Sequence, residues 1–115
     1  MPAMLDGIAV KLEHYMDLLA ARQRLVASNI ANMDTPGYKT RDIDFRHEFL
    51  ARVRGEAPAV IEVEGLPEKN DGNNVSLDRE TRLLAENALR FGVASNLLRA
   101  EVRLLRKAIQ EGRGG

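Results

Sequence analysis

Apolar side chains recur at helical spacing along two long stretches, one near each end of the chain. In residues 4–33 they follow alternating steps of three and four residues, with an interruption at Arg22. In residues 78–110 the alternation is unbroken and gives the a/d register of a heptad repeat. The patterns predict a long helix over each stretch, the second one capped by Ser76 or Asp78. The stripe positions that are candidates for subunit packing are Leu5, Ile8, Leu12 and Leu19 in the first helix and Leu84, Phe91, Leu98, Val102, Leu105 and Ile109 in the second.

Residues 34–77 have a different, irregular character. Pro36 followed by Gly37 predicts a tight turn, because proline presets φ at the first central position and glycine accepts positive φ at the next. Asp44 is a candidate N-cap for a short helix, and residues 59–63 favour a short strand. The apolar face of the short helix would consist of Phe45, Phe49 and Val53.

The expected fold is mainly α, in a single domain of residues 1–115. Its two long terminal helices pair as a coiled-coil-like hairpin, and the short irregular middle contains a small helix and a possible β segment. At 1.5 Å per residue the long helices would span about 45 and 50 Å, so the molecule should be elongated. A two-helix hairpin cannot cover both apolar stripes, so other subunits are expected to cover the rest.

The residues that carry chemistry do not form an enzymatic constellation. The chain has no cysteine, which excludes thiol catalysis and thiolate metal sites. His14 and His47 are far apart, and Asp42 and Asp44 are interpreted as caps before a helix. The polar run 70–74 is interpreted as a turn and not as a calcium loop, because no glutamate closes a loop of twelve residues. We therefore expect no catalytic residue, no metal ion, no cofactor and no small-molecule substrate.

The charge balance and the hydrophobic runs bear on other classes of function. Lys and Arg together number 17 and equal Asp and Glu, which argues against nucleic acid as a partner. The cluster Arg99, Arg103, Arg106 and Lys107 is interpreted as a solvated helix face. No apolar run approaches the ~20 residues that cross a bilayer, and the N-terminus lacks the basic region of a cleavable signal peptide. An amphipathic membrane-surface module or a nucleic-acid-binding module remains an alternative function.

Residues 27–39, Ala-Ser-Asn-Ile-Ala-Asn-Met-Asp-Thr-Pro-Gly-Tyr-Lys, carry the most specific signal in the chain. This string resembles the N-terminal signature of bacterial flagellar axial proteins, the family of rod, hook and hook-associated subunits. An ordinary C-cap and turn would explain a Pro-Gly pair but not the whole string. Near a helix end, the carboxamides of Asn29 and Asn32 can bind free carbonyl groups or reach a neighbouring helix. The signature positions are Asn29, Ile30, Asn32, Thr35, Pro36, Gly37 and Tyr38.

Three further segments, residues 41–45, 71–78 and 84–91, are similar to the small rod subunits of that family, and the resemblance covers nearly the whole chain. It implies a non-enzymatic structural subunit of the proximal rod of the flagellar basal body, which polymerises through its terminal helices into a hollow drive shaft for motility. A small rod subunit of the FlgC type is an alternative. The implied location is the periplasmic rod, reached through the flagellar type III export apparatus without a cleavable signal. The implied partners are other copies of the chain, rod proteins of the FlgC, FlgF and FlgG types, the basal adaptor FliE and the export gate at the membrane-ring end.

Overall fold

The structure is a computed structural model that describes residues 2–51 and 56–114. Side chains are described for 7–51 and 56–113, so the predicted packing residue Leu5 and the predicted face residue Val53 lie outside them. The chain is mainly helical, and the expected fold class is confirmed. Its elements are α1 (Pro2–Ala31), β1 (Arg41–Ile43), α2 (Phe45–Ala51), β2 (Val60–Glu62) and α3 (Leu77–Gly114).

The two long helices pack against each other as an antiparallel pair. Asn29, near the end of α1, bonds Glu80 in the first turn of α3, whereas Leu12 of α1 shares a groove with Leu97. The molecule measures 71 × 24 × 17 Å, so the expected elongated shape is confirmed. The core between the helices consists of Leu18, Leu19, Ala21 and Val26 from α1 and Leu83 and Ala94 from α3, with Ile43 of β1 beside them.

The buried face of α3 is shifted from the predicted heptad stripe by one residue toward the N-terminus of the helix. Glu80, Leu83, Asn87 and Ala94 are buried, whereas the stripe residue Phe91 keeps 42% of its surface exposed. The apolar arc of α3 is wider than a single neighbouring helix can cover, and α1 lies on the part of that arc with small and hydrogen-bonding side chains. The larger apolar side chains therefore flank the contact between the helices.

Helix α2 packs on α1 through aromatic rings. The ring of Tyr15 meets those of Phe45 and Phe49 edge-on, with centroids 5.4 and 5.9 Å apart, and His14 stacks on Phe49 at 5.9 Å. His14 is thus a packing residue. The Asp44 Oδ1 atom accepts a hydrogen bond from the backbone N–H of His47 at 3.1 Å, which confirms Asp44 as the cap of α2.

Strands β1 and β2 form a two-stranded antiparallel ribbon, in which Arg41 pairs with Glu62 and Ile43 with Val60. The predicted β segment is therefore a strand. β1 is held against α1 and buries two of its three residues, whereas all three residues of β2 are exposed. After the ribbon the chain returns to the end of α1 and enters α3. The Ser76 Oγ atom accepts from the N–H of Arg79 at 3.2 Å, so Ser76 is the cap of α3.

Candidate assembly surfaces and the polar junction that positions them

The signature segment ends α1 with a tight turn. Gly37 has a φ of +75°, and the N–H of Tyr38 donates to the carbonyl of Thr35 at 3.2 Å. With Pro36 at the first central position, this is the geometry of a type II turn. The predicted turn and the positive φ at Gly37 are both confirmed. A Cβ atom at Gly37 would meet nothing within 4 Å, so any cost of a side chain there is conformational.

Asn29 is fully buried and all four hydrogen-bonding positions of its amide are used. Its Nδ2 group donates to the carbonyl of Arg41 at 2.8 Å and to Glu80 Oε1 at 2.7 Å. Its Oδ1 atom accepts from the Arg41 N–H and from the Tyr38 hydroxyl, both at 3.0 Å. One side chain of α1 therefore fixes the signature turn, the first residue of β1 and the start of α3.

The other signature residues complete the end of α1. Asn32 Nδ2 donates to the carbonyl of Ser28 at 2.8 Å, and Asn32 Oδ1 accepts from the Thr35 hydroxyl at 3.0 Å. The hydroxyl of Tyr38 lies 3.3 Å from Ser28 Oγ. Asn29 crosses to another helix and Asn32 satisfies a free carbonyl, so each expected role of a carboxamide is found at one of the two positions. Ile30 is half-buried and Pro36 is exposed.

Four charged side chains form a chain of ion pairs beside Asn29, in which the two carboxylates are buried and the two arginines are half-buried. Arg22 binds Asp42 through two hydrogen bonds, Nε to Oδ1 at 3.0 Å and Nη2 to Oδ2 at 2.9 Å. Arg79 bridges from Asp42 Oδ2, at 2.6 Å, to Glu80 Oε2, at 2.7 Å. We call Arg22, Asn29, Asp42, Arg79 and Glu80 the polar junction. Its two cations balance its two anions, and it connects α1, β1 and α3.

The surroundings of Asp42 and Arg79 favour the charged form of both. Burial by itself would raise the pKa of Asp42, but hydrogen bonds from Arg22, from the Ile43 N–H and from Arg79 lower it below its ordinary value. For Arg79, burial opposes the charge, and the bonds to Glu80 and Asp42 raise the pKa above its ordinary value. Removing one partner from such a set leaves a buried charge unpaired, which is strongly destabilising.

The loop before α3 is tied to the signature turn by two buried asparagines. Asn73 Nδ2 donates to the carbonyls of Asn32 and Thr35, at 2.9 and 2.8 Å, and so satisfies free acceptors at the end of α1. Asn74 Oδ1 accepts from the N–H and the hydroxyl of Thr40, at 2.7 and 2.8 Å. The run interpreted as a turn is thus a second polar contact between the middle of the chain and α1.

Sequence reasoning missed most of the polar junction. Asp42 was interpreted as a cap, and that interpretation was wrong, because its carboxylate binds Arg22 and Arg79. The signal that could have found the network is Arg22 itself, an arginine that interrupts an otherwise apolar stripe. An arginine within an apolar stripe is stabilised by a carboxylate partner, but the sequence does not say which of several acidic residues supplies it.

Grooves with apolar walls follow the two flanks of the helix pair. One groove, of about 440 Å³, is lined by Leu19, Ala20, Gln23, Asn87, Ala88 and Phe91. Another, of about 370 Å³, is lined by Leu12, Tyr15, Leu89, Arg90, Val93, Ala94 and Leu97. Because each residue turns an α-helix by about 100°, Val93 and Leu97 project from the flank of α3 opposite to that of Ala88 and Phe91. Apolar surface is thus available on both sides of the pair.

The candidate packing residues are distributed along these flanks. Leu19 is buried inside the chain, where it packs α1 against α3. Leu12, Leu98 and Leu105 are half-buried. Exposed positions are Ile8, Leu84, Phe91, Val102 and Ile109, and Ile109 keeps 53% of its surface exposed. Their contact with other subunits stays a prediction.

Two properties of the described residues bear on other functions. Within residues 2–51 and 56–114, no three His, Cys, Asp or Glu side chains gather into a group that could hold a metal ion. In the same part of the chain, no helix combines the length and the hydropathy that a membrane span requires.

Comparisons with known proteins point to one family. A family model described as "Flagella basal body rod protein" matches residues 16–39, which include Arg22, Asn29 and the signature turn. The chain is 32% identical to the "Flagellar basal body rod protein FlgB" of Salmonella typhimurium over 137 aligned residues, which cover 95% of this chain and 99% of the relative. The protein of the same name from Escherichia coli K12 gives the same identity and coverage. That of Borrelia hermsii is 29% identical over 78% of this chain and 87% of the relative.

Proposed function

Because this chain belongs to the FlgB family of flagellar basal body rod proteins, we propose that it is a structural subunit of the proximal rod. In this proposal, copies polymerise through their terminal helices into the hollow shaft that turns with the flagellum. The protein acts by packing and by transmitting force, not by catalysis.

The exposed apolar surface on both flanks of the α1–α3 pair carries this proposal. Leu89, Val93 and Leu97 each keep more than half of their surface exposed on one flank, and Phe91 and Val102 are exposed on the other. Extended apolar surface on a soluble chain marks an interaction site. Burial of apolar surface contributes about 25 cal/mol per Å², so covering these flanks with other copies would favour association.

Apolar flanks on both sides of an elongated molecule favour a polymer over a closed dimer. A two-fold dimer uses the same patch on both copies and would leave the other flank exposed. If each copy instead presents one flank to a preceding copy and the other to a following copy, the contacts are heterologous and extend through the assembly. A subunit 71 Å long and about two helices thick suits the wall of a tube.

The polar junction gives these flanks a defined geometry. Its ion pairs hold the start of α3 against the end of α1, so that the helices cannot change register without breaking buried bonds to Asp42 and Glu80. Buried polar contacts are best attested as devices that fix register. We propose that the junction sets the relation between the two helices and that the apolar flanks then drive assembly.

The proposed partners are other copies of the chain, rod proteins of the FlgC, FlgF and FlgG types, and FliE with the export gate at the base. The proposed location is the periplasmic part of the basal body, reached by type III export. These details rest on the family resemblance.

Deletion of the gene in its own bacterium tests the function. We expect the deletion strain to be non-motile and to lack rods in isolated basal bodies, and a plasmid copy of the unaltered gene to restore both. Normal swimming of the deletion strain would contradict the proposal. A strain that lacks a different rod gene is the control, because it should also be non-motile and lack complete rods.

A further inference from the structure

The segment around β2 is rich in acidic side chains. Residues 56–68 contain four glutamates and neither lysine nor arginine. Glu68 pairs with Lys39, but within the described residues no ion pair reaches Glu56, Glu62 or Glu64. The residues of β2 are all exposed, and Val60 keeps 53% of its surface free. We call residues 56–68 the acidic ribbon.

A complementary basic surface lies on the distal half of α3. Arg99, Arg106 and Arg113 are exposed and spaced seven residues apart, which places them in one row along the helix. Within the described part of the chain, no carboxylate pairs with any of the three. Val102 and Ile109 are exposed next to this row. We call the three arginines the basic row.

The acidic ribbon and the basic row of one chain cannot meet. Glu62 lies opposite Arg41 in the register of the two strands, the backbone of Arg41 is bonded to Asn29, and Asn29 is bonded to Glu80, so the ribbon lies level with the start of α3. The basic row begins at Arg99, which is about 28 Å further along the helix axis at 1.5 Å per residue. Charges so far apart are screened at physiological salt, where the Debye length is about 8 Å.

We propose that the acidic ribbon of one copy docks on the basic row of the next copy. The inference rests on the proposed rod function and adds a specific contact to it. Alternation along β2 places Val60 and Glu62 on one face of the strand, and the basic row has the matching combination of arginines beside Val102 and Ile109. The glutamates of the ribbon would meet the arginines of the row at the edge of the contact, and the apolar side chains of the two surfaces would pack against each other at its centre.

This docking displaces neighbouring copies along their long axis by the distance between the two surfaces. Such a contact joins two different surfaces, and when successive copies point the same way with this lengthwise shift, it continues from copy to copy and builds an open polymer. The apolar flanks would hold copies side by side, whereas the ribbon contact would set how far each is shifted lengthwise.

The absence of cysteine from the chain permits a direct test by cross-linking. The purified full chain carrying both Glu62→Cys and Arg106→Cys is oxidised at a concentration at which it self-associates and is run on a non-reducing gel. We expect a ladder of dimers, trimers and larger species, because each chain links to two others and cannot link to itself. The control carries Glu62→Cys with Leu104→Cys, an exposed position on the opposite side of α3. No ladder, or a ladder of equal yield from the control, would overturn the proposal.

Charge reversal gives a second, independent test by sedimentation. Glu62→Lys with Glu64→Lys, and separately Arg99→Glu with Arg106→Glu, should each weaken self-association by about tenfold or more at about 0.1 M salt. The variant that carries all four changes should associate within about threefold of the unaltered chain, because the two surfaces are complementary again. Failure of the fourfold variant to recover would contradict a direct contact between these surfaces.

The outcomes separate this contact from the rod function itself. A non-motile deletion strain with no ladder leaves the rod function standing and removes the ribbon contact. A motile deletion strain removes the rod function, whereas the ladder would still report the contact between copies in solution.

Discussion

Asn29 on α1 and Glu80 on α3 are joined by a 2.7 Å hydrogen bond between an amide and a carboxylate, and both side chains are fully buried. The two residues are 51 positions apart in the chain. Glu80 also forms an ion pair with Arg79, and Arg79 forms a second one with Asp42. The bond from Asn29 to Glu80 therefore connects the signature segment to the ion pairs that position the ribbon. Disruption at Asn29 should therefore affect the whole junction.

Asn29→Ala should strongly destabilise the chain. The substitution leaves Glu80 Oε1 and both backbone groups of Arg41 without their partner, and each unsatisfied buried group costs about 1–3 kcal/mol. We expect the free energy of unfolding in urea to fall by about 3 kcal/mol or more. Asn96→Ala, at an exposed asparagine on α3, is the matched control and should change it by less than about 0.5 kcal/mol. Equal effects of the two substitutions would remove the special role of Asn29.

Gly37→Val should impair assembly through backbone strain alone. The φ of +75° at Gly37 is unfavourable for a β-branched residue by about 1–3 kcal/mol, and a Cβ atom there would meet nothing within 4 Å. Gly37→Asn tolerates this φ better and should retain more motility than Gly37→Val. Motility and basal-body yield are measured at matched expression. If both variants assemble equally well, the turn does not need positive φ.

Val102→Asp and Ile109→Asp should separate folding from assembly. Both side chains are exposed in the single chain, so the monomer should keep its helical circular dichroism within about 10% and its stability within about 0.5 kcal/mol. Rod formation should be lost, because a charged carboxylate would replace an apolar side chain in the contact between copies. Asn96→Asp places the same charge on the polar face of α3 and is the control. Normal swimming with either apolar substitution would exclude that position from the packing surface.

The stability of the chain should fall in acid through Asp42. Its pKa is lower in the folded chain than the ordinary value of 3.8, because Arg22, the Ile43 N–H and Arg79 outweigh burial. As the pH falls, the Asp42 carboxylate is therefore protonated at a higher pH in the unfolded chain than in the folded chain. The stabilisation from Asp42 is complete above its ordinary pKa and is lost as the pH falls through its pKa in the folded chain. Between about pH 6 and about pH 2, the unaltered chain should lose more unfolding free energy than Asp42→Asn does. Asp17→Asn, which removes an exposed carboxylate, is the control for the change of charge alone.

Hydrogen exchange on dilute monomer should show a gradient along the molecule. The amides of Thr40, Ile43 and Val75 are bonded inside or beside the junction and should exchange at least about 100-fold more slowly than those of residues 102–113. The distal part of α3 leaves much of its apolar surface exposed in the single chain, so it should open readily. Full protection of residues 102–113 in a proven monomer would contradict this expectation.

The helices and the local turn chemistry could be predicted from the sequence, because both depend on neighbours a few residues away. Spacing of apolar residues every three or four positions predicts a long helix wherever it is sustained. The caps Ser76 and Asp44 and the positive φ at Gly37 follow from the side chains at those positions. Even the two roles of the signature carboxamides could be anticipated, since an asparagine near a helix end has few partners to choose from.

Only the tertiary structure decided which face of α3 lies against α1 and which charges meet. The apolar arc of α3 is broad, so periodicity gives a stripe but cannot say whether α1 covers the large side chains or the row of Glu80, Leu83, Asn87 and Ala94 beside them. The ion pairs from Arg22 to Asp42 and from Arg79 to Glu80 depend on segments brought together by the whole fold. The sequence by itself determined that a pair of long helices would need partners. The surface left for those partners depended on which of two faces of α3, similar in hydrophobicity, packed against α1. The charged side chains, which need partners of opposite charge when they are buried, decided between the two faces.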